Sequence, residues 1–375
     1  MFRFQQYHQY RASVPSPNGQ PIVMDVDGVD VRVTSPDRVI YEPTTRTPAV
    51  TKRDVCAYVA TVGGPLLAAI GGRPTAMERW PDGWRDGMRL AVGPTDKDGD
   101  GFYQKRLPKG APAYVETVQV TFPSGRTADE LCPTRAADLV WAAQMGTLTF
   151  HPWPVRRPDV EHPDELRLDL DPQPGTTFAD ARRVADVLRE LLDELGLRGY
   201  PKTSGSRGIH VYVRIEPRYT FEQVRHAAIG LGRELERRDA GVTTAWWKEE
   251  RGSRIFLDFN QNNRDRTIAS AWSLRARPGA PVSTPMTWAR LADVVDPAEY
   301  NLTTVPDYLD DGDPWADIDA EAFSLEPLLH LWETLPGGEL NFPPDYPKMP
   351  GEPPRVQPSK KVADHWDADG NRIAD

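Results

Sequence analysis

The sequence predicts an α+β catalytic domain, and three observations carry that reading. Short alternating strands and amphipathic helices are mixed through the central block. No glycine-rich Rossmann fingerprint or Walker phosphate loop accompanies them, which disfavours a doubly wound parallel sheet. Three aspartates fall at or near the ends of apolar strands, where a binding site can be built.

Residues 1–33 have no clear period and are expected to form an N-terminal arm with short strands. From Thr51 to Ile70 apolar residues recur near helical spacing, predicting one helix that ends at Gly71-Gly72. Arg73 to Pro81 reads as a strand and turn, and Asp82 to Gly101 as an exposed Gly/Asp-rich loop. Within it, Asp96 to Gly101 resembles half of a calcium loop, but the twelfth position from Asp96 is Leu107 instead of Glu, so a solvated loop is the better reading. Ala136 to Met145 reads as a helix with Thr134 as N-cap, followed by an extended Thr147 to Trp153. The central block then gives a strand at Leu166–Leu170, a helix at Thr177–Leu195, a strand at Ile209–Ile215, a helix at Thr220–Arg238 and a strand at Arg254–Phe259. Short helices are expected at Thr287–Val294 and Leu325–Leu335. This divides the chain into the arm, a catalytic domain over 34–335 and a Pro-rich charged tail over 336–375, extended or disordered.

The chain has 375 residues and a net charge of −10, which by itself argues against a nucleic-acid partner. The distribution reverses that inference. Leu291 to Asp375 holds 5 Lys and Arg against 19 Asp and Glu, a local −14 that leaves residues 1–290 at +4, so the body can present a basic face. Cys56 and Cys132 are too few for a disulfide framework or a zinc cluster, and a reducing compartment follows. With no apolar leader, and the longest apolar stretch broken by Gly63, Gly64 and Pro65, a soluble, cytoplasmic protein without membrane attachment is expected.

In the block Leu166 to Pro172, Asp169 and Asp171 are two residues apart on a strand and share one face. Two like charges there repel unless a cation lies between them, and hard oxygen ligands suit Mg²⁺ or Mn²⁺ carrying a triphosphate. An isolated Asp-x-Asp is weak, and a solvated strand end would explain it. Asp258, closing the apolar run Arg254 to Phe259, adds a third strand-borne carboxylate, the number a two-metal phosphoryl-transfer site requires. Between them, Lys202 to His210 supplies small residues, hydroxyls, Arg207 and His210, suited to approach phosphate oxygens; a flexible turn with a core histidine is the bland alternative.

The order of these blocks, Asp169 to Pro172, Ser204 to His210 and Arg254 to Arg275, resembles the polymerase domain of bacterial ligase D, a branch of the archaeo-eukaryotic primase superfamily. The similarity extends through Pro36–Tyr41, Thr51-Lys52, Gly72–Pro74, Arg79–Pro81, Phe102–Lys105 and Thr149–Trp153, covering roughly Thr34 to Trp332. It implies a primase-polymerase core of mixed and antiparallel sheets flanked by helices, and a repair polymerase that adds rNTPs or dNTPs at a DNA gap or broken end. Asp169, Asp171 and Asp258 would hold the Mn²⁺ or Mg²⁺ ions, while His151, Ser204, Arg207, His210, Arg251, Gln261 and Arg275 would surround the nucleotide. Phe102 and Tyr103 match an aromatic pair that packs on bases, and Arg38 and Lys52 match basic positions that hold a 5′-phosphate across the gap.

Glu78 departs from the pattern: the family usually has a basic residue there, so one nucleotide or template contact is expected to be absent or taken by Arg79. The Trp84–Gly101 loop is longer than in the ligase-fused domains. No ligase motif follows, so a stand-alone member working with separate end-binding and ligase proteins is expected. Two other readings are weighed. A DNA-end-binding scaffold with little synthesis would follow if the acidity or Glu78 disabled substrate binding. A phosphatase or glycosyltransferase would use the Asp-x-Asp, but Pro172 and Gln173 stand where a phosphatase usually has Gly-Thr.

Overall fold

The computed structural model describes residues 19–93, 96–344 and 346–355. Ile22–Val26 (β1) and Val29–Val33 (β2) form a hairpin whose turn residues, Asp27 and Gly28, both have positive φ, as a two-residue type I′ connection demands. Strict alternation buries Met24, Val26, Val31 and Val33 in the main core. The expected arm is therefore integral to the domain from residue 22, and residue 33 is not a packing boundary; the first 18 residues of the expected arm lie outside the described ones.

Val39–Tyr41 (β3) pairs with Val50–Thr51 (β4), which leads into Lys52–Thr61 (α1) through a capping box of Thr51 and Asp54. The single helix expected to Ile70 is two. Gly63–Ile70 (α2) leaves α1 at a 69° bend, because Pro65 has no N–H to donate and its ring collides with the carbonyl four residues earlier. Most of α1 is buried in the core, and no single described helix is long and apolar enough to cross a membrane.

Thr75–Arg79 (β5), Phe102–Gln104 (β6), Thr117–Thr121 (β7), Thr127–Leu131 (β8) and, after Ala136–Gln144 (α3), Thr147–Pro152 (β9) make one antiparallel sheet in which β5 pairs with β6, β8 and β9. The cap of α3 is Arg135, not Thr134: the Asp138 carboxylate accepts the backbone N–H of both residues. The second sheet holds Glu165–Pro172 (β10), then, beyond Phe178–Glu194 (α4), Tyr200–Thr203 (β11) and Ile209–Arg214 (β12), and, beyond Phe221–Arg238 (α5), Val242–Thr243 (β13), Lys248–Arg251 (α6) and Ile255–Leu257 (β14). Its order is β11-β12-β10-β14-β13, antiparallel except for β13 with β14. Helix α4 packs on it through Phe178, Ala181, Val184, Ala185, Leu188, Leu191 and Leu192, a helical stripe whose larger members each contribute about 1.5–3 kcal/mol by burial.

Trp288–Asp293 (α7), Val305–Tyr308 (α8) and Glu326–Thr334 (α9) complete the helices of the described residues, with α9 lying along α5. The Pro-rich tail does not begin at 336. Arg225 of α5, wholly buried, donates to Leu340 O (2.8 Å) and Asn341 O (3.3 Å), pairs with Glu339 and lies 3.8 Å from the Phe342 ring centre, while Glu352 binds Arg355. Proline content suggested an extended segment, but buried Asn341, Phe342 and Glu352 fasten residues 339–355 to the domain; 356–375 lie outside the described residues.

Candidate active site

Strand β10 is the spine of the site. Its register sets Asp169 opposite His210 of β12 and Asp171 opposite Phe256 of β14. Asp258 follows β14 directly, and its N–H donates to Asp169 O at 3.0 Å, so all three carboxylates gather at one end of the sheet. Burial pushes the Asp169 carboxyl well above the usual range, and the charges of Asp258 and Asp171 push it further; Lys202 and Arg275 oppose them. Burial also raises Asp258, against Gln261 Nε2 donating to Oδ2 (2.9 Å) and Asn260 N–H donating to Oδ1 (3.0 Å). Among the described residues, no Lys or Arg forms an ion pair with the three; His210 Nε2 stands 3.5 Å from Asp169 Oδ1. Three carboxylates gathered without a paired lysine or arginine, two of them with pKa values raised by burial and by neighbouring carboxylates, fit a divalent cation.

The loop from Lys202 to His210 closes over this end. Ser204 Oγ accepts from Ser206 N–H (3.2 Å) and Gly208 N–H (3.1 Å), and Arg275 Nη1 donates to Ser204 O (2.7 Å). Two glycines allow the close fit: a Cβ on Gly205, whose φ is +70°, would lie 2.6 Å from Arg275 Cγ, and one on Gly208 would lie 2.8 Å from Leu170 O. Arg207, exposed, reaches Pro172 O at 3.4 Å, and with Arg277 and Phe178 it lines a cleft of about 480 Å³.

The segment 268–285 joins the two sheets. Ser270 N–H donates to Phe150 O (2.9 Å), Thr149 Oγ1 to Leu274 O (2.8 Å) and Thr203 N–H to Thr284 O (2.9 Å). Trp272, a bulky residue at φ +64°, is held there by Tyr58 Oη donating to its carbonyl and by its own N–H donating to Ser283 O. This stitching sets Arg275 between the carboxylates and His151, since its charge acts on Asp169, Glu78 and His151 alike.

Two buried histidines face the site with opposite partners. His151 Nε2 lies 3.0 Å from Glu78 Oε2, and Glu78 also accepts from Trp80 Nε1 (2.9 Å). Burial lowers the His151 pKa against the opposing pull of Glu78, while burial's upward push on Glu78 is overcome by His151 and Trp80. His210 Nδ1 instead meets Lys202 Nζ at 2.7 Å, and burial and the Lys202 charge hold His210 well below its ordinary value. Glu78 is thus absorbed by its own chain. Arg79 does not take its place, because the next residue on a strand faces the other way: Arg79 donates to Met145 O (2.8 Å) and pairs with Gln104.

Arg251 sits beside the carboxylates with its hydrogens on Ala245 O (3.0 Å), Trp246 O (2.8 Å) and Gln173 Oε1 (3.4 Å); Gln173 in turn donates to Asp171 Oδ2 (3.2 Å). Arg38, Lys52, Phe102 and Tyr103 form a neighbouring group on the first sheet and α1. Arg38 pairs with exposed Asp82 (2.6 Å), Lys52 Nζ donates to Thr34 Oγ1 (3.2 Å), and Arg79 lies 5.3 Å from the Phe102 ring centre. Phe102 and Tyr103 are exposed, and Tyr103 meets His151 edge-on at 5.1 Å, linking this group to the site. In the Asp-rich loop, Asp96 accepts from Arg89 and from Val92 N–H (2.9 Å). Sequence reasoning assigned no role to Lys202, Gln173 or Arg277; Lys202 was visible only as the first residue of the segment that leads into the Ser204–His210 loop.

The family model for "LigD, primase-polymerase domain" matches residues 51–315. The multifunctional non-homologous end joining protein LigD of Mycolicibacterium smegmatis is 33% identical over 296 residues, 78% of this chain and 36% of that protein. That of Pseudomonas aeruginosa is 32% identical over 293 residues, 76% of this chain and 32% of that protein. The chain therefore spans about a third of the length of these relatives. Among solved structures, the polymerase domain from Mycobacterium tuberculosis ligase D in complex with DNA superposes with a TM-score of 0.67 at 31% identity, covering 78% of this chain and 99% of that one.

Proposed function

Because the chain belongs to the LigD primase-polymerase family, we propose that it is a DNA-directed nucleotidyltransferase that extends a primer 3′-hydroxyl with rNTPs or dNTPs at a gap or broken end during repair. The observation that carries this reading is the convergence of Asp169, Asp171 and Asp258 at one end of the second sheet, with no lysine or arginine of the described residues paired to them. They would hold Mg²⁺ or Mn²⁺, which when bound makes the primer hydroxyl more acidic and offsets the charge of the triphosphate.

The chain's own groups surround that centre in a way that suits a nucleotide. Ser204, the backbone of the 204–208 loop, Arg207 and Arg275 offer donors to phosphate oxygens, and the cleft lined by Arg207 and Arg277 gives a polyanion room. His151 and Tyr103 meet at the junction of the two sheets, where a sugar and a base can be gripped. Gln261 orients Asp258, and Gln173 couples Arg251 to Asp171. Arg38 and Lys52 are suited to the 5′-phosphate beyond the gap, and Phe102 and Tyr103 to exposed bases.

The test is extension of a labelled primer across a short gap, with and without a downstream 5′-phosphate, supplying each nucleotide type with Mg²⁺ or Mn²⁺. Extension that needs the metal and is stimulated by the phosphate is expected. A folded protein that binds the gapped DNA but adds nothing under any condition would replace this reading with that of an end-binding scaffold.

A further inference from the structure

We infer that Lys202 is a positioning residue for the proposed reaction: it donates to Nδ1 of His210 and so fixes that ring with its hydrogen on Nε2, aimed at Asp169. The inference rests on the reading of the carboxylates as a nucleotidyl-transfer centre.

The Lys202 side chain is wholly buried, yet no carboxylate among the described residues pairs with it. Other buried cations of this protein are treated differently: Arg73, Arg167 and Arg214 each meet Asp164 or Glu165 directly. The partners of Lys202 Nζ are Ala269 O (2.9 Å), Ser283 Oγ (2.5 Å) and His210 Nδ1 (2.7 Å). Folding gains little from burying a charge among neutral groups, so the placement calls for another reason.

Hydrogen-bond counting supplies one. Ala269 O can only accept. The single hydrogen of Ser283 is directed to Thr203 O (2.9 Å), so Ser283 Oγ accepts from the lysine. Burial, followed by the Arg275 charge, lowers the Lys202 pKa, and the Asp169 charge opposes them; with the ammonium retained beside Asp169, two of its hydrogens are thereby used and the third points at His210 Nδ1. At the ring's other edge, Nε2 faces Asp169 Oδ1 at 3.5 Å. A carboxylate that ligates a cation only accepts, so the hydrogen belongs on Nε2. Both edges therefore select the same tautomer. The reverse one would set a ring lone pair against a carboxylate and leave Nδ1–H pointing at an ammonium. His210 is on β12 and Lys202 on the adjacent β11, in register with each other, so the sheet sets the two side chains on one face, and the contacts of Nζ with Ala269 O and Ser283 Oγ hold its end in place. With Lys202 in place, His210 presents a fixed donor to Asp169 and to any phosphate oxygen that enters beside it.

The test uses the full chain with Mg²⁺ and ¹⁵N-labelled histidine. In the wild type the His210 ring should show a protonated Nε2 and a bare Nδ1 in its nitrogen shifts. Lys202→Met keeps the length and removes the donor; it should abolish this preference and lower kcat for nucleotide addition by roughly 10–100-fold, the usual cost of removing an outer partner of a metal site. In a His210→Ala background the same change should cost less than about twofold, because its route of action is gone. A wild-type ring protonated on Nδ1, or a Lys202→Met loss that is equally large without His210, would overturn the inference. Should Lys202→Met fail to fold, the wild-type ring spectrum still decides. If the wild type shows the expected ring but extends no primer, it is the polymerase reading that falls.

Discussion

The two ends of strand β10 treat their carboxylates in opposite ways. At the start, Asp164 and Glu165 are enclosed by guanidiniums: Arg73 reaches Asp164 Oδ1 (2.5 Å) and Glu165 Oε1 (2.9 Å), Arg167 and Arg214 reach Glu165, and Arg156 reaches Asp164. Burial would raise both carboxyls, but the Arg73 charge and its neighbours more than reverse this and hold them below the usual range. Four residues along, Asp169 lies under burial with Asp171 and Asp258 for company, and its carboxyl is driven well above that range. One end is balanced by the chain itself and serves as architecture. The other is left unbalanced, and a cation from solution can complete it.

The largest expected effect comes from breaking the unbalanced end. Asp171→Ala should take nucleotide addition to background while DNA binding is kept, because Asp171 is exposed and makes no contact that the fold requires beyond Gln173. Primer extension alongside a binding titration checks both halves. A folded variant that still extends would remove the metal-site assignment.

Breaking the balanced end should harm stability instead. Arg73→Met leaves Asp164 and Glu165 short of one guanidinium in a buried place, a change that typically costs about 3–5 kcal/mol. Urea unfolding measures it. A loss under about 1 kcal/mol would mean that Arg156, Arg167 and Arg214 suffice.

The contrast sharpens with pH. Asp164 and Glu165 have depressed pKa values, so their contribution is present above the unfolded carboxyl pKa near 4 and is lost as pH falls through the folded values. Asp169 has a raised value, so the sign inverts: it is harmless below about pH 4 and destabilises the metal-free fold increasingly as pH rises toward its folded value. Metal-free Asp169→Asn should therefore be more stable than the wild type at pH 7 and no different near pH 3.5. Adding Mg²⁺ or Mn²⁺ should stabilise the wild type, by about 2.7 kcal/mol at a hundred times its Kd, and leave Asp169→Asn nearly unmoved. Thermal melts across pH would show this; a variant that gains equally at both pH values would point to packing.

How far each end could be read in advance follows from the same physics. Asp169, Asp171 and Asp258 were legible because strand periodicity and apolar flanks announce where a side chain will face. The helices at 178–194 and 221–238 were legible from their stripes and caps. The Arg73–Asp164–Glu165 cluster was not, since its members are distant in sequence and only the register of β10 with β12 brings Arg214 to Glu165. Lys202 was hidden for a similar reason: its importance depends on a neighbour across β11 and β12, not along the chain. The break at Pro65 was readable in principle, and apolar periodicity outvoted it. The docking of 339–355 was obscured by composition, because Pro-rich segments look unstructured until a buried Arg225 donates to their carbonyls.

The smallest effect probes a second unbalanced place. Lys52 opens α1, and its pKa is lowered first by burial and then by the charges of Arg38 and Arg79. Three cations near a helix N-terminus repel one another, as the three aspartates do, and an anion relieves them. Arg38 is partly satisfied by Asp82, so its ion pair must open for a ligand, whereas among the described residues Lys52 Nζ donates to a hydroxyl, Thr34 Oγ1. Lys52→Ala should therefore reduce the stimulation of gap filling by a downstream 5′-phosphate roughly tenfold, the size of one charge-assisted hydrogen bond, and leave extension on unphosphorylated gaps nearly unchanged. Steady-state rates on the two substrates at one salt concentration give the ratio. An equal loss on both would make Lys52 a general contributor to DNA attraction, and the phosphate would have to be held by Arg38 alone.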